Sequence, residues 1–176
     1  MLAAARRLLL ERPFAELTVD AVMAEAGLGR TVFYRHYRDL PQLAPDLLPD
    51  ERNPLIDRIV QIEQERPEDV VREMIAGLVG LFADNGPLLR AIDTAADQDP
   101  EVKARLDAAL DGPRALIARL LGGAVHPPPD PAASARLLMA AHRAYLLDLF
   151  AAGCAPPAAR REATQVLEAL WERLLA

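Results

Sequence analysis

Between Leu28 and Arg38 the chain carries three arginines and no acid. Arg30, Thr31, Tyr34 and Arg38 recur at i, i+1, i+4 and i+8, so a helix places them on one face, flanked by Arg35 and His36. Guanidinium, hydroxyl and phenol groups on a common face suit contact with phosphates and base edges of a duplex. Phe33 and Tyr37, with Leu28 from the preceding turn, are expected to point the other way and pack. Enzymatic constellations are not evident. His36, His126 and His142 lack metal-ligand spacing, and Cys154 has no second thiol or nearby base. There is no glycine-rich phosphate loop and no nucleophile elbow. No cofactor or metal is expected, and the chain does not read as an enzyme.

The elements that must position this face are short helices. Leu2, Ala5, Leu9 and Arg12, reinforced by Leu8, give a first helix over 2–12 that Pro13 ends. Thr18 is a favourable N-cap, Asp20 complements the helix dipole, and Val19, Val22, Met23 and Ala26 supply the apolar stripe of a second helix. Gly27 stops it in the left-handed conformation. Leu28 and Gly29 complete a three-residue turn into a third helix over about 30–37. Two short helices across such a turn form a helix-turn-helix, in which the first braces the second for the major groove.

Further along, Asp39 caps a short fourth segment over about 40–48, with Pro41 in its first turn. Pro45, Pro49 and Pro54 break the chain there, and a further helix is expected from Pro54 to Glu65. Residues 68–84 form a helix that Asn85-Gly86-Pro87 ends, starting another through about Asp97. Pro100 opens a helix to Leu121, able to bend at Gly112-Pro113. Four prolines make 122–131 a loop. Residues 131–152 and 157–175 are two long final helices.

Composition agrees with an all-α chain. Of 176 residues 33 are Ala and 29 Leu, while aromatics are 5%. A hydrophobic share of 52% suffices for a core, and no apolar run reaches the length a bilayer requires, so no membrane association is expected. A single cysteine and the absence of a signal-like start fit a cytoplasmic protein. The net charge of −6 resides entirely after residue 48, since the first 48 residues carry six arginines and six acids. Any affinity for a polyanion must therefore be local.

The string TVDAVMAEAGLGRTVFYRHY over 18–37 resembles the DNA-binding signature of TetR-family transcriptional regulators: a Thr-capped helix, Ala-Gly-apolar-Ser, then a helix ending aromatic-Tyr-x-His-aromatic. The resemblance is close over residues 2–48. It implies a three-helix DNA-binding head over 1–48 and a helical ligand-binding and dimerisation domain over 49–176. It makes Thr18 a phosphate-contacting cap, Arg30, Thr31 and Tyr34 readers of bases and backbone, and His36 a phosphate contact. Arg35 and Arg38 complete the expected DNA-binding set. Three departures weaken phosphate contact: Gly29 replaces the usual Ser cap, Leu40 stands where a Lys is common, and no basic arm precedes the first helix.

The same resemblance implies a dimer that matches a palindromic operator in double-stranded DNA, and a small-molecule inducer that releases it. Leu138, Ala141 and Tyr145 on one long helix, with Ala163, Val166, Leu167, Leu170 and Leu174 on the last, are the candidates for the homodimer interface. Met74, Leu78, Phe82, Leu89, Met139, His142, Tyr145 and Trp171 are the candidates to line a mainly apolar ligand cavity. The expected function is thus a one-component transcriptional regulator acting as a repressor. The alternative is a helical ligand-binding or dimerisation protein whose DNA head is impaired.

Overall fold

The computed structural model describes residues 1–48, 66–153 and 156–176, and contains helices and no strand among them. The helix expected over Pro54–Glu65 and the thiol of Cys154 lie outside the described residues.

α1 (Leu2–Glu11) buries Ala4, Ala5, Leu8 and Leu9. α2 (Val19–Ala26) is capped as its sequence requires: the Thr18 Oγ1 accepts the Ala21 N–H at 3.1 Å. At its other end Gly27 takes φ 66°, and the Leu28 N–H reaches back to the Met23 carbonyl at 2.9 Å. That is a left-handed helix stop, where a side chain would be strained. α3 (Arg30–Tyr34) is shorter than the eight residues expected. The Phe33 carbonyl accepts both the His36 and the Tyr37 N–H, so the chain tightens into a turn before Asp39 caps α4 (Leu40–Leu43). A 3₁₀ turn, Ala44–Leu47, follows, and Arg6 closes it by donating to the carbonyls of Leu47 and Leu48 at 2.6 and 3.1 Å.

α5 (Pro67–Gln98) runs straight through the break expected at Asn85-Gly86-Pro87 as a kink rather than a loop. Asn85 leaves helical geometry (φ −128°, ψ 19°), and its side-chain amide donates to the Leu81 carbonyl at 3.1 Å. Gly86 is the reason the kink can sit where it does. A Cβ there would stand 2.0 Å from the Phe150 carbonyl oxygen, so only glycine lets the end of the neighbouring helix approach. α6 (Pro100–Gly122) continues through Gly112-Pro113 as one helix. α7 (Pro131–Phe150) and α8 (Pro157–Leu175) complete the chain.

The kink divides α5 between two cores. After it, Leu88, Ala91, Ile92 and Ala95 pack with Val102 into the head, against Leu8, Phe14, Met23, Phe33, Leu43 and Leu47. Before it, Val71, Ile75, Val79 and Phe82 pack with Ile117, Leu121, Leu146, Phe150, Leu167 and Trp171. α5 is long and apolar enough by length and composition to cross a membrane, although no apolar run of that length was expected from the sequence. In this fold its apolar residues are divided between the two cores.

Candidate nucleic-acid interface and effector cavity

α2 supports α3 as the turn chemistry requires. Phe33 is fully buried against Val22 and Met23, so α3 can turn only its other side outward. That side carries Arg30, Thr31, Tyr34 and Arg35, followed by His36 and Arg38 in the turn, and all six are exposed. Tyr34 is 58% exposed although its neighbour Phe33 is buried. Thr18 is exposed at the head of α2, on the element that braces α3. Leu28 departs from expectation: it is 44% exposed and does not join the packed side. Tyr37 is half-buried and donates its hydroxyl to Asp46 at 2.8 Å. Burial, with the Asp46 contact, pushes its phenol up to about 12.

Two of the three arginines are already engaged within the chain. Arg30 forms a two-pronged ion pair with Asp20 from the first turn of α2, which raises its pKa further. Arg38 bridges Asp39 at 3.0 Å and Asp99 at 2.6 Å, with Glu101 at 3.9 Å. The sequence alone did not single out Asp99. Its side chain is 6% exposed, and it also caps α6 through the Glu101 N–H at 2.8 Å. An Asp immediately before Pro at a helix start is the signal that could have found it. Gln42 donates to Glu101 at 3.2 Å, and Arg105 meets Asp46 at 3.1 Å. The end of the recognition segment is thereby fastened to the first turns of α6 at several points.

Beyond its first turn, α6 forms one wall of a cavity of about 230 Å3. Of the residues expected to line a ligand site, Met74, Leu78, Phe82, Met139 and His142 come together there. Leu89, Tyr145 and Trp171 do not reach the lining. Trp171 is fully buried in the core beside His142, their ring centroids 6.2 Å apart, while Leu89 and Tyr145 are half-buried at the edge of that core. The lining also has residues that periodicity did not indicate: Leu106, Leu110, Pro113 and Ile117 from α6, with Asp93, Asp107, Arg114 and Arg143. Arg143 pairs with Asp93, and Arg114 pairs with Asp107 at 2.9 Å.

Of the residues expected at a homodimer interface, Ala163 and Leu167 are buried in the chain's own second core, so they cannot face a partner. The last-helix stripe was wide enough to hold both an inner and an outer face. Ala141, Val166 and Leu170 are exposed, and Leu138, Tyr145 and Leu174 are half-buried. Leu137, one turn before Ala141, is 71% exposed.

Residues 1–43 match the family model of bacterial regulatory proteins of the tetR family. The whole fold is similar to the crystal structure of a TetR transcriptional regulator from Rhodococcus sp. RHA1. The TM-score is 0.55 and the identity 19%, over 99% of this chain and 92% of that one. At that identity the likeness is one of fold, and the family match rests on the head.

Proposed function

We propose that this chain is a TetR-family regulator of transcription, which binds a palindromic operator as a homodimer through α3 and represses from it; the match of its head to that family's model and the likeness of fold support the reading. A small, mainly apolar inducer in the α5–α6–α7 cavity releases the DNA. The observation that carries the DNA-binding part is the split character of α3: Phe33 is buried, while Arg30, Thr31, Tyr34 and Arg35 face solvent, braced by a Thr18-capped helix. Thr18, His36 and Arg38 then serve as flanking phosphate contacts. The inducer part is supported by continuity. The helix whose middle lines the cavity is the one whose first residues hold Arg38 and Gln42 of the head, so a shift of α6 moves both.

The exposed stripe of Leu137 and Ala141 on α7, with Val166 and Leu170 on α8, supports isologous pairing of two copies. Such a regulator acts in the cytoplasm. The second reading, an impaired DNA head, is favoured by one observation, the internal pairing of Arg30 with Asp20 and of Arg38 with Asp99.

Retardation of the DNA upstream of its own coding sequence, at low salt, separates the two readings. Wild type is expected to retard it in a specific band, and the Arg30→Ala/Tyr34→Ala variant is expected to lose that band. Equal retardation by the variant removes α3 from the mechanism.

A further inference from the structure

The cavity between α5, α6 and α7 contains one feature that an apolar ligand alone does not use. His142 lines it and is 4% exposed, and its Nε2 is buried with no hydrogen-bond partner, as is the Nε1 of Trp171, which stands behind it outside the lining. A polar atom left so costs free energy that a ligand group can recover. Burial holds the ring below the ordinary histidine pKa, so it is neutral at physiological pH. A neutral imidazole offers a single hydrogen-bonding atom at Nε2, not a charge.

The charges around the cavity point the same way. Arg143 is spent on Asp93, and Arg114 on Asp107 and Asp111. Arg136, Asp97 and Lys103 are exposed to water, and Lys103 lies 3.9 Å from Asp107. A charged ligand entering here sheds its hydration and finds the inner counter-charges already paired. The apolar remainder, Met74, Leu78, Phe82, Leu110, Ile117 and Met139, favours a hydrocarbon body.

We propose that the cavity selects a compact, uncharged molecule with an apolar body and one hydroxyl or carbonyl group, which hydrogen-bonds to His142 Nε2. This rests on the ligand-site reading above and narrows its chemistry.

The test uses three probes of one skeleton: menthol, its hydrocarbon parent menthane, and menthane carboxylate. Trp171 is the sole tryptophan and adjoins His142, and none of the probes absorbs where it does, so its emission reports binding to the intact protein without DNA. Menthol is expected to bind more tightly than either of the others. His142→Leu is expected to weaken menthol roughly tenfold and to leave menthane unchanged or tighter. His142→Gln, which restores a hydrogen-bonding group, is expected to recover part of the loss. Three results overturn the proposal: tighter binding of the carboxylate, equal menthol affinity in wild type and His142→Leu, or no binding of either uncharged probe at millimolar concentration. If menthol discriminates as expected but leaves the DNA complex intact, inducer release fails and the ligand chemistry stands. If menthol releases DNA equally from wild type and His142→Leu, the reverse holds.

Discussion

Arg38, in the turn that follows the recognition helix, donates to Asp99 across 61 residues of sequence at 2.6 Å. Asp99 is also the cap of α6, the helix that lines the cavity. One carboxylate thus joins the helix-turn-helix head to the helix that lines the cavity. Arg38 is more than half exposed and Asp99 is not, so the contact's worth lies in keeping Asp99 partnered, not in surface attraction. Asp99→Asn can still cap α6 but loses the ion pair. Arg38→Ala and Asp99→Asn are each expected to lower the melting temperature. The double variant is expected to fall no further than the more damaging single one, since both remove the same contact. Additive losses in a thermal-melt cycle would show that the pair is uncoupled.

Asp20 holds Arg30 in an ion pair, so on the proposed reading it competes with DNA for that guanidinium. Releasing that guanidinium adds one phosphate contact, and each such contact contributes a slope of about −0.9 to the salt dependence of binding. Asp20→Asn is therefore expected to bind duplex DNA more tightly at low salt. Its plot of log affinity against log salt should be steeper than wild type by about one. An unchanged slope places Arg30 off the phosphates.

Gly86 admits no side chain. A Cβ at that position meets the carbonyl oxygen and carbon of Phe150 at 2.0 and 2.5 Å, both backbone atoms that cannot rotate away. Gly86→Ala is expected to destabilise the fold by about 2 kcal/mol or more, although Ala is the better helix former. Gly80, on the same helix with open space around it, supplies the contrast. Gly80→Ala is expected to be neutral or stabilising, as measured by urea unfolding.

His142 gives stability a pH dependence of known sign. Burial lowers its pKa in the folded protein from 6.5, so below that value the unfolded chain takes up the proton first. Its contribution is fully present above about pH 6.5 and is lost as pH falls below it. Asp93 from α5, Asp107 and Arg114 from α6, and Arg143 on its own helix share the cavity with it. The stability difference between wild type and His142→Leu is accordingly expected to shift against wild type between about pH 7 and pH 5. A pH-independent difference would mean that the imidazole titrates normally.

The outer stripe of α7 and α8 predicts the oligomeric state. Leu137→Glu with Val166→Glu places charge on two exposed apolar positions and is expected to turn a dimer into a folded monomer in sedimentation analysis. A dimer unaffected by both changes moves the interface elsewhere.

The head was legible in the sequence because its signals are local. Thr18 three residues before Ala21, Gly27 at a helix end and Asp39 before Pro41 each determine a cap within a few residues, and each cap is found. Phe33 and Tyr34 were correctly assigned to opposite sides by period alone. What was illegible depends on distant partners. The last-helix stripe does not reveal that Ala163, Leu167 and Trp171 face inward while Val166 and Leu170 face out, because the inner face is chosen by packing against α5. Nor does spacing show that Trp171 stands behind His142 instead of beside it in the cavity, or that Arg38 finds Asp99. The break at Asn85-Gly86-Pro87 was placed correctly but not its form, since the side-chain amide of Asn85 and the missing Cβ of Gly86 let one helix bend where two were expected.

The central claim is that α3 reads duplex DNA in paired copies. Repeated selection from a pool of random duplexes tests it without knowledge of the operator. Wild type is expected to enrich an inverted repeat whose half-sites lie about one helical turn apart or a multiple of it, and Arg30→Ala/Tyr34→Ala to enrich nothing. An unselected pool after repeated rounds with wild type, or the same repeat recovered by the variant, contradicts the account.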